Sequence, residues 1–366
     1  MAAALLPVLQ PALQSRLWVP RRVLVTPDAL KWPYGRAVVE RATQFGAEVV
    51  ELKSNRLVLP KPESARQEYA DAKTTLAVVV ASRSARTPQP IPPSADWQFH
   101  VAQGCPAHCQ YCYLAGSLSG PPLTRVYANL PEVLHELTSC LGRGNVTSAS
   151  EKRRDEGTTF EMSCYTDPLG IEHLTGALDQ CIRHFGSWDA PVQLRWTTKF
   201  GAVEPLLELP HAGRTRVRFS VTAPEVIRLF EGGTSSLNSR FAALGKMAAA
   251  GYPVGLTIAP IMPVVDWRQQ YTSLLEGAAS ALNPLKDVDL TVEMITHRFT
   301  DKSRNVLLGW YPKTPLDLDP ERRSVKRTKF GTSKYVYPAA LMREMREWFT
   351  GAIAQHLPFA KVLYWT

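Results

Sequence analysis

The chain has 366 residues, 45% hydrophobic and 20% charged, which suits one large or two modest globular domains and excludes a disordered polymer. No apolar run approaches the roughly 20 residues of a membrane-spanning helix, and the apolar start at residues 1–9 lacks a basic flank and is broken by Pro7, which argues against a secretory signal. Lys and Arg number 42 against 33 Asp and Glu, and the net charge of +9 fits a polyanionic partner, nucleic acid first, as readily as it fits simple solubility.

In chain order, the first segment reads as a small α/β unit: a strand at 22–26, a helix at 34–45 stopped by Gly46, a second strand at 47–52 and a third at 76–81. Residues 53–73 are polar and Pro-punctuated and predict a surface loop, and 87–93 (TPQPIPP) predicts a linker. A domain boundary is placed there, giving an N-terminal unit of 1–93 and a larger domain of 94–366.

Beyond it, strands predicted at 97–102, 159–164, 192–198, 216–222, 254–261 and 290–295 alternate with helices at 131–141, 176–185, 236–250 and 267–282. Repeated strand–helix units predict parallel strands with right-handed crossovers. Six strands are too few to close an eight-stranded barrel, so the expectation is a partial (β/α)6 barrel with its chemistry at the strands' carboxyl ends. The tail adds a hairpin-like basic stretch ending in a strand at 334–337, an amphipathic helix at 339–356 and a strand at 362–365. Between helix and strand, 142–158 reads as a mobile surface insertion, and its Lys152, Arg153 and Arg154 could touch a polyanion.

Three of the six cysteines, Cys105, Cys109 and Cys112, form a Cys-x3-Cys-x2-Cys loop just after the first barrel strand. Three thiolates in one tight loop can ligate three irons of a [4Fe–4S] cube and leave the fourth open to a small molecule. Structural zinc wants a fourth ligand, and only His108, inside the loop, is near enough in sequence. Cys140, Cys164 and Cys181 are dispersed, as free thiols in a reducing cytoplasm would be.

The loop GCPAHCQYCYL resembles that of the radical S-adenosylmethionine (SAM) enzymes, and within them of the spore photoproduct lyases. Collinear matches extend the resemblance from Trp97 to the C-terminus: Arg125–Tyr127 with Asn129, the stretch from Phe160 through Cys164 to His173, Thr198–Lys199, RVRFS at 216–220, GTS at 233–235, IAPI at 258–261, HRFT at 297–300, YPKT at 311–314 and KYVY at 334–337. The resemblance implies a radical SAM carbon–carbon lyase with a [4Fe–4S] cluster on Cys105, Cys109 and Cys112. SAM binds the open iron and is cleaved to a 5′-deoxyadenosyl radical. That radical takes a hydrogen from C6 of a methylene-linked thymine dimer in DNA, the linkage fragments, and a cysteine donates hydrogen to the thymine radical.

The same resemblance makes Cys164 the donor, although an isolated cysteine at a strand end is ordinarily a small core hydrophobe. It gives Tyr111 and Tyr113 the return of hydrogen, and Lys199, Ser220, Thr166 and Asp167 the binding of SAM. It implies damaged DNA as partner, contacted by Arg298, Lys302 and Arg304 and by the hairpin residues Arg322, Arg323, Lys326, Arg327, Lys329, Phe330 and Tyr335, which could wedge into a duplex while the lesion is extruded. It also implies a flavodoxin- or ferredoxin-like electron donor, with the chain working as a monomer off the membrane.

Two departures mark a divergent member. Tyr165 follows Cys164 where the family pattern has a small residue, and Lys329–Phe330 stands where Arg-Tyr is common. Two rival readings follow from the residues: a radical SAM enzyme acting on another photolesion, an RNA or a peptide, and a non-catalytic iron–sulfur DNA-binding module.

Overall fold

A computed structural model describes residues 17–59, 62–118, 120–327 and 333–366. In chain order its strands are β1 Arg22–Val25, β2 Glu48–Glu51, β3 Thr75–Val79, β4 Gln89–Ile91, β5 Ala95–Phe99, β6 Ala102–Gln103, β7 His108–Cys109, β8 Thr124–Tyr127 and β9 Thr158–Met162. They continue as β10 Val192–Thr198, β11 Thr215–Val221, β12 Glu231–Gly232, β13 Val254–Ile261, β14 Leu290–Thr296, β15 Ser324–Arg327, β16 Ser333–Val336 and β17 Lys361–Trp365.

The larger sheet runs β17-β14-β13-β11-β10-β9-β5-β4. All its pairs are parallel except β4 with β5. Its two edge strands do not pair with each other, so the six predicted strands form the expected partial barrel, extended by β17 at one edge and β4 at the other. The smaller sheet runs β2-β1-β3-β8-β6 and draws its last two strands from beyond residue 93. Leaving β5, the chain therefore crosses to the smaller sheet through β6 and returns to the barrel only at β9.

Both faces of the barrel strands are buried, and their alternation is polar inward, apolar outward. Val217, Phe219 and Val221 of β11 lie in the apolar core, while Arg216, Arg218 and Ser220 take the other face. The inner face is an ionic lattice. Arg195 pairs with Glu293 and, at 3.3 Å, Glu156; Arg218 pairs with Glu161 and, at 2.6 Å, Glu293; the Tyr364 hydroxyl donates to Glu293 at 3.0 Å. Buried charges are ordinarily paired in this way.

Three expectations are corrected. The 53–73 loop contains the helix Ala65–Lys73, capped by Ser64 and buried through Tyr69, Ala72 and the Lys73 stem. Within the Pro-rich linker, β4 pairs with β5, and Ile91 to Ser94 form a wall of the barrel cavity. The 142–158 segment is pinned to the barrel, because the Asp96 carboxylate accepts from Val146 N at 2.7 Å and from the Thr147 hydroxyl at 2.8 Å. Its Arg153 is buried, donates to Pro93 O at 3.0 Å and pairs with Glu156, so it is closed to any polyanion.

Candidate active site

A cavity of about 540 Å³ opens at the carboxyl ends of the barrel strands. It brings together Cys105, Cys109, Cys112, Tyr111, Tyr113, Cys164, Thr166, Asp167, Lys199, Ser220 and Arg298, positions spread over nearly two hundred residues of sequence. Among the described residues no three His, Cys, Asp or Glu side chains converge as ligands of a single metal ion. His108 is engaged elsewhere, its Nδ1 lying 3.0 Å from the Tyr69 hydroxyl.

The cysteine loop hangs between β6 and β8 of the smaller sheet and leans on the barrel. Its entry needs glycine: Gly104 has φ +81°, and a Cβ there would lie 2.2 Å from Leu123 O. From the smaller sheet, the Lys73 ammonium donates to Cys105 O at 2.5 Å and to Ala107 O. From the barrel side, β12 pairs antiparallel with β7, and Gln110 N donates to Phe230 O at 2.9 Å.

Glu231 of β12 is the buried junction. Its carboxylate accepts from the Tyr111 hydroxyl, from Arg240 and, at 2.7 Å, from Lys199. Burial opposes a charge there, yet Lys199 and Arg240 hold the group ionised, down at about 2. Lys199 also donates to Ser220 Oγ at 3.0 Å, so its ammonium is steered to the mouth of β10 and β11.

Asp167 lines the cavity and has partners of its own. Its two oxygens accept from the Thr198 hydroxyl at 2.8 Å and Lys199 N at 2.7 Å, locking the end of β10. Thr166 faces the cavity with a buried hydroxyl that has no partner among the described residues.

Cys164 is aimed by a bend. Ser163 sits at φ 55°, a left-handed conformation unusual for a residue with a side chain; its hydroxyl accepts from Val101 N at 3.1 Å and its own N–H donates to Phe99 O at 2.7 Å. The strand ends there, and the thiol turns toward the cavity. Burial and the Glu161 charge push the Cys164 thiol well above its ordinary range, so it keeps its S–H bond at neutral pH. Tyr165 stacks on His100 with centroids 4.8 Å apart and stands 6.4 Å from the ring of Tyr113, which is 56% exposed.

Of the expected DNA contacts among the described residues, Arg298 alone lines the cavity. Lys302 is exposed at the start of the helix Asp301–Trp310, while Arg304 is turned onto Leu318 O at 2.9 Å. β15 and β16 form the expected hairpin, presenting Lys326 and Arg327 to solvent; Tyr335 stacks on Phe299 at 5.1 Å and anchors it. Arg322 is exposed, 3.3 Å from Asp317. Arg323 is corrected: it is 9% exposed, lies 3.9 Å over the Tyr337 ring and serves the fold. Lys329 and Phe330 fall outside the described residues.

A partial barrel with a three-cysteine loop at its mouth, opposite a lysine and a lone thiol, defines a radical SAM enzyme. The family model for spore photoproduct lyase matches residues 18–366. Spore photoproduct lyases of a Geobacillus species (strain Y412MC61) and of Bacillus subtilis (strain 168) are 39% and 38% identical over 350 residues, which cover 95% of this chain and 99% of each relative. A solved structure of a spore photoproduct lyase variant with bound AdoMet and dinucleoside spore photoproduct superposes with a TM-score of 0.86 at 37% identity, covering 95% of this chain and 99% of that one. The chain belongs to the spore photoproduct lyase family and is a radical SAM lyase.

Proposed function

We propose that this chain reverses the methylene-linked thymine dimer of DNA to two thymines, with Cys164 as the hydrogen donor. The observation that carries the reading is one cavity holding three loop cysteines and a fourth cysteine, Cys164, on a bent strand end. The residues fit the cofactors: three thiols of one tight loop lining one cavity suit a [4Fe–4S] cluster, Lys199 and Ser220 suit the carboxylate of SAM, and the Thr166 hydroxyl, without a partner among the described residues, suits its ammonium or ribose. When bound there, cluster and SAM together supply a carbon radical able to take a hydrogen atom from the lesion.

The chain's own residues do the rest. Cys164 gives its hydrogen atom to the thymine radical left when the bridge breaks, and becomes a thiyl radical. Tyr113, open to the cavity, is placed to restore that hydrogen. Tyr111 is tied to Glu231 and holds the loop as well as lying in the same path. Asp167 sets Lys199 and lines the cavity where it can also receive SAM's ammonium or ribose. Arg298 at the mouth, with Lys302, Arg322, Lys326 and Arg327 outside it, offers cations to DNA phosphates, and Lys329 and Phe330 join them as proposed DNA contacts.

We further infer a one-electron donor of the flavodoxin or ferredoxin class, a monomer, and a reducing cytoplasmic setting, supported by six free thiols. No helix among the described residues is long and apolar enough to cross a membrane.

The test is anaerobic reconstitution, reduction, and addition of SAM with an oligomer carrying the photoproduct. Thymine and 5′-deoxyadenosine are expected to rise together. In Cys164→Ala, deoxyadenosine persists while repaired thymine gives way to aberrant products. Deoxyadenosine without thymine from the unsubstituted chain would instead assign it another photolesion, an RNA or a peptide. An absence of SAM cleavage would leave the binding module.

A further inference from the structure

Seven Lys and Arg side chains are buried below one-tenth exposure among the described residues. Six of them, Arg153, Arg195, Arg216, Arg218, Arg240 and Arg323, have a carboxylate within 4 Å. Lys73, 6% exposed, is the exception: no described carboxylate pairs with it. Its ammonium lies 5.6 Å from the centre of the Tyr69 ring and is spent on two carbonyls of the cysteine loop, those of Cys105 and Ala107.

An ammonium taken from water without a counter-charge is costly, and neutral carbonyls and a ring face offset only part of that cost. Three thiolates around iron, on the loop that Lys73 grips, are the negative charge the site lacks. A further electron placed on that loop adds to it.

We propose that Lys73 is the counter-ion of the loaded cysteine loop and a positioning residue that makes its one-electron reduction easier; this rests on the cluster reading above. An external reductant supplies the electron, no bond to Lys73 forms or breaks, and its fixed positive charge favours the reduced state over the oxidised one by Coulomb attraction in a low-dielectric setting. Two hydrogen bonds to the loop and one charge beside it are separable roles, and substitution can separate them. Glutamine keeps an N–H donor for the carbonyls but removes the charge. Arginine keeps the charge.

The experiment is reconstitution of the full chain, Lys73→Gln and Lys73→Arg, with iron and sulfide counted per chain, followed by a redox titration monitored by the electron paramagnetic resonance of the reduced form. Lys73→Gln is expected to load as the unsubstituted chain does. At a fixed potential its ratio of reduced to oxidised cluster should be at least tenfold lower, a midpoint about 59 mV more negative for one electron. Lys73→Arg should stay within threefold of the unsubstituted chain. Loading of Lys73→Arg but not of Lys73→Gln would also support the counter-ion, acting already at assembly. An unchanged ratio in Lys73→Gln, a tenfold change in Lys73→Arg, or failure of both variants to load would reduce Lys73 to a clamp on the loop and overturn the proposal. Failure of the unsubstituted chain to load would overturn the cluster reading itself.

Discussion

Replacing Glu231 by glutamine removes one negative charge from a pocket where Lys199, Arg240 and the Tyr111 hydroxyl all converge on it. The carboxylate lies at about 2 against an ordinary 4.5, and at about 1.4 kcal/mol per unit that difference is worth about 3 kcal/mol of folding stability at neutral pH. Breaking a buried ion pair on one side costs about 3–5 kcal/mol by independent measure. Because the folded value is depressed, this contribution is complete above pH 4.5 and is lost as pH falls toward 2. Urea denaturation of the metal-free chain under reductant should show Glu231→Gln about 3 kcal/mol less stable at pH 7, with the gap narrowing as pH drops below 4.5. SAM affinity should fall as well, because Lys199 loses the group that steers it. A gap under about 1 kcal/mol at pH 7, or one that does not narrow in acid, would refute the reasoning about this junction.

Two hairpin cations should separate in their effects. Lys326→Ala is expected to weaken DNA binding and lower its salt dependence by about one phosphate contact, read from affinities at several salt concentrations. Arg323→Ala should leave that slope unchanged and cost about 2 kcal/mol of stability through the lost contact with Tyr337. Ser163→Val places a branched side chain at φ 55° and removes the hydroxyl that accepts from Val101 N. It should cost about 1–3 kcal/mol and change the rate at which an alkylating probe reaches Cys164, whereas an unchanged melting temperature and rate would show that the bend is not what aims the thiol.

The barrel strands and their helices were legible because long apolar periodicity survives any tertiary context. The inward polarity of the same strands was not, because burial of both faces leaves Arg216 and Arg218 looking like solvent-facing interruptions. The helix Ala65–Lys73 hid for a similar reason: it buries little beyond Tyr69, Ala72 and a lysine stem, too few apolar positions to register as a period. At the site, the cysteine spacing identifies its own loop, and the motif around Cys164 identifies the thiol. What holds them was silent in sequence. Lys73 reaches Cys105 across 32 positions and Glu231 reaches Tyr111 across 120, and a lone Lys or Glu announces nothing about such a partner. Arg323 stands in the right neighbourhood with a different task, because a motif match gives a residue's address without the direction of its contacts.

The excursion of the chain from β5 through β6 and β8 before it regains the barrel at β9 makes the cysteine loop a seam between the two sheets. One lip is stitched by Lys73, the other by Phe230 and Glu231. Trimming the first ninety residues to obtain a minimal barrel would unpick one lip, so the smaller sheet cannot be treated as a removable appendage. On the proposed cluster reading, iron content becomes a gauge of assembly: any lesion that loosens the join between the sheets, however far from the cavity, should surface first as metal-poor protein.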